Sequence, residues 1–98
     1  MDYKILFSDV ALIDFEELLG FIRKDNESAA QRFGDSVLNH IGLLAQFPYL
    51  GAPMRVRPGV REMLHTPFRI YYRVYEDRKA IEVIQIWHQS RRTPSLPG

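Results

Sequence analysis

The sequence predicts an α+β domain in which a hairpin of two helices packs on one face of an antiparallel sheet, in the order β-α-α-β-β-β. Three observations predict this fold class. Apolar residues recur at helical spacing in the first half of the 98 residues, and they alternate with polar residues in the second half. The connections between the three later strands are so short that these strands must form an antiparallel meander. A hydrophobic content of 46% is enough for one core, so we expect a single domain over residues 1–98.

The first half begins with a short apolar strand over residues 3–7 and continues with two helices. Ser8 is a suitable N-cap for the first helix, and Asn26 or Ser28 for the second. The second helix must end before Pro48, and so short a link between the helices favours an antiparallel hairpin. Each helix has one apolar stripe: Ala11, Phe15, Leu18, Leu19 and Ile22 in the first, and Ala30, Phe33, Val37, Ile41 and Leu44 in the second.

The second half is predicted to form a three-stranded meander. Residues 47–59 are rich in proline and glycine and are predicted to be a loop. Strands follow over residues 60–65, 68–76 and 80–88, joined by turns at Thr66-Pro67 and at residues 77–79. The last strand has apolar residues on both sides, so we predict an interior position for it, but alternation does not orient it.

The middle strand divides its side chains between two faces. Phe68, Ile70, Tyr72 and Val74 share the face predicted to meet the helices, whereas Arg69, Tyr71, Arg73 and Tyr75 share the open face. We expect Arg61 to join Arg69 and Arg73 on that open face, with His65 and His88 at its edge. Guanidinium groups bind phosphate oxygens in pairs, and tyrosine rings stack on exposed bases. The alternative is that these residues only keep a sheet face solvated.

Charge is distributed unevenly along the chain. Residues 1–54 contain four Lys/Arg and eight Asp/Glu, whereas residues 55–98 contain nine Lys/Arg and four Asp/Glu. Such a split indicates either a basic half that faces a polyanion or a solvated sheet face that carries arginines, and charge alone does not separate the two. No apolar run approaches the ~18 residues of a membrane span, and there is no cysteine. We therefore expect a cytoplasmic protein that binds no membrane.

Most catalytic and metal-binding arrangements are excluded by spacing. The three histidines lack metal-ligand spacing, so no metal or other cofactor is expected. His40 is predicted to be structural and Trp87 to pack in the core. No serine lies in a recognisable nucleophile turn. The remaining chemistry is acid–base catalysis by histidine or arginine beside a phosphate, which is able to cleave RNA through its 2′-hydroxyl without a metal.

The segment "GVREML…FRIYYRVYEDRKAIEVIQIWHQSRR" (residues 59–92) resembles the C-terminal half of the ParE/RelE toxins of type II toxin–antitoxin modules, a superfamily that includes plasmid stabilisation proteins. The segments "AAQRF" and "FPYLG" are similar too. The resemblance implies a RelE/ParE-like fold and a growth-inhibiting toxin neutralised by a cognate antitoxin. Its target would be DNA gyrase for a ParE-like member, or mRNA on the ribosome for a RelE-like endoribonuclease; a non-toxic interaction domain is a further alternative.

The resemblance also assigns residues, and its departures favour the ParE-like interpretation. Arg69 and His88 fall on positions that nuclease members use in catalysis, so they are the catalytic candidates if the chain is a nuclease. Gln89 stands where several nucleases have a catalytic tyrosine, and the 50–58 loop has Arg55 and Arg57 in place of lysines. The candidate target-binding residues are Arg61, His65, Tyr71, Arg73, Arg91 and Arg92.

Overall fold

The structure, a computed structural model, describes residues 2–89. It confirms the predicted order of elements and adds one short strand inside the predicted loop. That strand escapes prediction because two residues are too few to show alternation. The elements are β1 (Lys4–Phe7), α1 (Asp9–Arg23), α2 (Glu27–Gly42), β2 (Ala52–Pro53), β3 (Arg61–His65), β4 (Phe68–Tyr75) and β5 (Ala80–His88), with a 3₁₀ turn after α2 at Leu43–Ala45.

The five strands form one sheet in the order β1-β5-β4-β3-β2. β3, β4 and β5 form the predicted antiparallel meander, and β2 adds to its edge in the same sense. β1 pairs in parallel with β5, so the sheet is mixed and β5 is an interior strand, as predicted. The parallel pairing is possible because both helices lie between β1 and the later strands in the sequence.

Both helices begin at the expected caps. The Ser8 side chain accepts a hydrogen bond from the backbone N–H of Ala11 at 3.0 Å, and the Asn26 side chain accepts one from Ala29 at 3.0 Å. Each bond satisfies one of the N–H groups that a helix start leaves without an intrahelical partner. The two caps therefore fix the residue at which each helix of the hairpin begins.

The main core lies between the helices and one face of the sheet. Phe68, Ile70 and Tyr72 of β4 belong to it, which confirms the predicted face of that strand. Ala11 of α1, Val37 and Ile41 of α2 and Leu44 of the following 3₁₀ turn also belong to it. Phe15, Leu18 and Phe33 are partly buried against this core, so most of the two predicted apolar stripes packs inward.

A β-bulge in β5 explains why alternation could not orient that strand. Tyr71 pairs with Gln85 whereas Tyr72 pairs with Val83, so Ile84 has no partner in β4. The extra residue shifts the pattern by one position. Ile81, Val83 and Ile86 consequently all face the helices, although Val83 and Ile86 are three residues apart.

A second, smaller cluster lies on the other face of the sheet. Val60, Tyr71 and Ile84 are buried there, with Met54 and Trp87 packed against them. The segment between β2 and β3 supplies Met54 and Val60, so this loop covers part of the face predicted to be open. The packing predicted for Trp87 is found in this cluster. No helix within residues 2–89 is long and apolar enough to cross a membrane.

Candidate functional site

Arg61 does not lie on the open face, and the prediction that placed it there is wrong. In the register of β3 and β4, Arg61 is opposite Tyr72, which faces the helices, and directly opposed residues share a face. Its guanidinium donates a hydrogen bond to the Gly51 carbonyl at 2.6 Å and lies over the Tyr49 ring at 4.7 Å. Arg61 therefore holds the loop after α2 and is separated from Arg69 by the sheet.

His65 is also on the helix side, so its predicted place at the edge of the open face is wrong. It is opposite Phe68 in the register, and its Nδ1 lies 2.8 Å from Nδ1 of His40. Nε2 of His65 lies 3.3 Å from the Ser36 hydroxyl, and the Phe33 ring meets it edge-on. Burial lowers the pKa of His65, and the neighbouring His40 lowers it further. Together the two histidines connect α2 to β3.

His88 is on the helix side as well. It is opposite Phe68 in the register, and the two rings meet edge-on with centroids 4.9 Å apart. His88 lines a cleft of about 240 Å³ between α1 and the end of β5, together with Asp14, Glu17, Leu18, Phe21, Phe68 and Ile86. The prediction of His88 at the edge of the arginine-bearing face is therefore wrong.

Arg69 remains on the open face, where it pairs with a carboxylate. Its Nη1 lies 3.9 Å from Oε2 of Glu62, and it is opposite Trp87 in the register with β5. Because Arg69 and His88 project from opposite faces of the sheet, they cannot act together on one phosphate. The catalytic pair suggested by the sequence is thus not assembled.

Tyr71 cannot serve as an exposed stacking platform. Its side chain is on the predicted face, but only 1% of the residue is accessible, because the loop before β3 covers it. Burial raises the pKa of the Tyr71 hydroxyl. The expectation that this ring is exposed on the open face is therefore wrong, and a contact of Tyr71 with a target stays a prediction.

Arg73 lies beside the loop that carries Arg55 and Arg57, two arginines that the sequence indicated only as replacements for lysines. Its guanidinium lies beside Gly59, which adopts a left-handed φ of 87° in the loop that carries Arg55 and Arg57. Two backbone bonds brace this loop, from Met54 N–H to the Val60 carbonyl and from Val60 N–H to the Arg57 carbonyl. We call Arg55, Val56, Arg57 and Arg73 the arginine turn.

The arginine turn has excess positive charge, with Arg55 and Val56 exposed and Arg57 and Arg73 half-buried. Val56 is 86% exposed at its tip. None of the ion pairs between residues 2 and 89 includes Arg55, Arg57 or Arg73. The sequence signal for it is the run "RVRPG", in which two arginines directly precede a proline and a glycine that favour a turn. Arg91 and Arg92 lie outside the described residues, and within residues 2–89 no group of three metal-ligating side chains occurs.

A match to a known protein family shows the family to which the chain belongs. The model of the family described as "ParE toxin of type II toxin-antitoxin system, parDE" matches residues 5–93. The chain belongs to this ParE toxin family. A curated relative in the same comparison, Y4kP, a candidate toxin of Sinorhizobium fredii, is 28% identical over 88 residues, which is 88% of each chain.

Solved structures of toxins from both branches of the superfamily share the fold of this ParE family member. The toxin–antitoxin complex RelBE2 from Mycobacterium tuberculosis contains a chain with a TM-score of 0.71, 21% identity and coverage of 90% of this chain and 99% of that one. A chain of the chromosomal ParDE system from P. aeruginosa gives a TM-score of 0.73, 21% identity and coverage of 88% and 95%. The isolated E. coli RelE toxin gives a TM-score of 0.59 at 17% identity, covering 92% and 87%.

Proposed function

We propose that this toxin inhibits DNA gyrase and that a cognate antitoxin neutralises it. The observation that supports inhibition over RNA cleavage is the separation of Arg69 from His88 by the sheet. Acid–base catalysis needs the proton-transfer group and the phosphate-binding group on one reacting phosphate, within hydrogen-bond reach. A binding inhibitor needs no such pair. Membership of the ParE family supports the same choice.

The contact with gyrase is assigned in this proposal to the arginine turn. Its three guanidinium groups lie outside the ion pairs of residues 2–89, and Val56 supplies an apolar contact between two of them. Guanidinium groups form paired hydrogen bonds with carboxylates and phosphates, so the turn suits an anionic surface on gyrase or on its bound DNA. Screening limits the attraction to about 8–10 Å at physiological salt, so the effect requires close contact.

The antitoxin is proposed from the family and from the solved relatives. The M. tuberculosis and P. aeruginosa structures are of RelBE2 and ParDE systems, in which toxin and antitoxin are named together. A small toxin encoded without an inhibitor would arrest its own host. The proposal therefore includes an antitoxin that binds this chain and prevents its binding to the target.

Messenger RNA cleavage is the second candidate function. The arginine turn supports it too, but less strongly than it supports gyrase inhibition. Arg55, Arg57 and Arg73 would hold a phosphate as well as they would hold a carboxylate. A general base would then have to come from residues other than His88, which projects from the opposite face of the sheet. Both candidate functions would use the arginine turn, but only the second would leave cleaved messenger RNA.

The first prediction tests the surface and the target together. Purified toxin should block gyrase supercoiling at stoichiometric concentration and leave ribosome-bound mRNA intact. An Arg57→Ala/Arg73→Ala variant should need about tenfold more protein, because it loses two of three charge-assisted contacts. An Arg32→Ala variant on α2 is the matched control and should inhibit like the wild type. Equal inhibition by both variants would remove the arginine turn from the contact, and unaffected supercoiling by wild-type toxin would reject the gyrase target.

A further inference from the structure

Ser36, His65 and His40 form a continuous polar chain between α2 and β3. Ser36 and His40 are four residues apart on α2 and therefore share one side of the helix. The His65 ring lies between them, with Nε2 3.3 Å from the Ser36 hydroxyl and Nδ1 2.8 Å from Nδ1 of His40. Ser36 is exposed, whereas both histidines are half-buried. The chain therefore begins at a hydroxyl that a small solute is able to reach.

The two imidazole rings meet end to end. Their centroids lie 5.0 Å apart and their Nδ1 atoms 2.8 Å apart, so the radii of two rings fill the difference and both nitrogens lie close to the line between the centroids. A zinc ion on that line would need about 4 Å between the nitrogens, at about 2.0–2.1 Å for each bond. The contact is therefore a hydrogen bond, in which one Nδ1 carries the hydrogen and the other accepts it.

The position of this hydrogen decides what His65 does to Ser36. When Nδ1 of His65 carries it, Nε2 has a lone pair that accepts the Ser36 O–H, and His40 accepts from His65. In the reverse order Nε2–H donates to the serine, which then is not activated. Burial and also His40 lower the pKa of His65, so the ring is neutral at neutral pH and ready to take a proton. The first order is that of a nucleophile, its base and an orienting group.

Two hydrogen-bond donors flank Ser36 on the exposed side of α2. Arg32 precedes it by four residues and Asn39 follows it by three, so both are its neighbours on the helix. Both residues are exposed, and no ion pair within residues 2–89 includes Arg32. Donors in such positions stabilise the oxyanion that forms when a hydroxyl attacks a carbonyl group. Ser36 thus has a base on one side and oxyanion donors on the other.

We propose that Ser36 is a nucleophile that takes an acyl group from activated carboxylic esters, with His65 as the general base and His40 as a positioning residue. Oγ of Ser36 bonds to the carbonyl carbon, its proton passes to Nε2 of His65, and the leaving alcohol departs with that proton. The product is an ester of Ser36, and the step needs no further reactant. The distance of 3.3 Å between Oγ and Nε2 is slightly longer than the about 2.6–3.2 Å of a catalytic hydrogen bond, as is frequent before substrate binds.

The test is labelling of the full-length toxin with a fluorophosphonate, in which phosphorus takes the place of the carbonyl carbon and fluoride is the leaving group. Mass spectrometry of peptides should locate the label on Ser36, and unfolding in urea should prevent it. Ser36→Ala should not be labelled. Ser28→Ala, which changes another exposed serine of α2, is the matched control and should be labelled like the wild type.

The two histidines are tested through the labelling rate. His65→Gln should lower it about 100-fold, since general bases contribute about 10²–10⁴-fold. His40→Leu should lower it about tenfold, because His65 loses the acceptor that orients it. His40→Asn should restore most of the rate, since Oδ1 of asparagine is as many bonds from the backbone as Nδ1 of histidine and accepts the same hydrogen bond. Urea midpoints of the variants show that each is folded.

Absence of label on Ser36, equal labelling of Ser28 and Ser36, or an unchanged rate in folded His65→Gln would overturn the proposal. A rate in His40→Asn as low as in His40→Leu would reject the positioning role of His40. With p-nitrophenyl acetate, Ser36 should be acetylated in the wild type, and acetylation confined to other residues would reject esters as the acyl donors. This inference goes beyond gyrase inhibition, and because the assay contains no gyrase, its outcome does not depend on that proposal.

Discussion

Tyr72 is the residue on which the attachment of the loop after α2 depends. Its side chain is fully buried, and its hydroxyl donates to the Pro48 carbonyl at 2.9 Å and accepts from Gly51 N–H at 2.8 Å. Burial raises the pKa of this hydroxyl. A buried polar group that loses its partner is destabilising because it has also lost water.

We predict that Tyr72→Phe lowers the free energy of unfolding by about 1–3 kcal/mol, since it leaves two buried backbone groups without a partner. Tyr75→Phe is the matched control. Its hydroxyl bonds Glu82 at 3.0 Å in a half-buried position, so the expected loss is below about 1 kcal/mol. Urea denaturation measures both values. Equal losses in the two variants would show that the Pro48 and Gly51 bonds contribute little.

The His40–His65 contact predicts a dependence of stability on pH. The pKa of His65 is lowered in the folded protein, mainly by burial and also by His40, whereas the unfolded chain has the ordinary value of about 6.5. Above pH 6.5 the ring is neutral in both states. As the pH falls below 6.5, the unfolded state takes up a proton first, so stability decreases until the folded pKa is reached.

We therefore expect His65→Gln to flatten this part of the stability curve. The urea midpoints of unfolding at pH 7.5 and pH 5.5 should differ less in the variant than in the wild type. The carboxylates titrate in both proteins, so they do not cause a difference between them. Ser36 and Phe33, which also contact His65, are unchanged by the substitution and do not titrate in this range. An unchanged difference between the two midpoints would show that His65 does not couple to folding.

At the scale of elements, the contact between β3 and the loop after α2 leaves no room at Gly51. A Cβ added there would lie 2.7 Å from the Glu62 carbonyl oxygen and 2.8 Å from the Tyr72 ring. Gly51→Ala should lower the free energy of unfolding by about 1–3 kcal/mol, because the backbone of β3 must move. Gly20→Ala, in open space within α1, should instead raise it by about 0.5–1 kcal/mol. Thermal unfolding of the two variants checks both signs, and a neutral Gly51→Ala would mean that the loop is loosely attached.

Element positions followed from the sequence where one local signal fixed them. Ser8 and Asn26 marked the helix starts, and alternation from Phe68 oriented β4. The face of β3 was predictable in principle, because Met63 is buried with β4 and Arg61 and His65 have its parity. Alternation failed in β5, where the bulge at Ile84 changes the parity within one strand. When both faces of a strand are apolar, the sequence pattern does not show where a bulge occurs.

At the scale of the whole molecule, the charge asymmetry of the sequence becomes two separate surfaces. The acidic first half supplies Asp14 and Glu17 beside α1, and the basic second half supplies the arginine turn on the opposite side of the sheet. The sequence predicted an acidic and a basic half, but not the side of the sheet on which each charged group lies. Arg61, Arg69 and Arg73 seemed equivalent in a linear pattern, and only the register of β3 with β4 separates Arg61 from the other two.

The toxin family follows from the sequence, but the target does not follow from the fold. Solved relatives from ParDE and RelBE systems share this architecture at 17–21% identity. A common scaffold of this kind supports different activities, since function depends on the residues placed upon it. The proposed choice of gyrase as the target rests on the arrangement of Arg69 and His88 in this chain.

Induced expression in bacterial cells, with DNA-damage signalling and protein synthesis followed in the same culture, tests gyrase inhibition most directly. Inhibited gyrase should produce a rise in a DNA-damage reporter before amino-acid incorporation falls, with messenger RNA intact, and His88→Ala toxin should act in the same way. An immediate stop of amino-acid incorporation with cleaved messenger RNA and a flat DNA-damage reporter would contradict the proposed function.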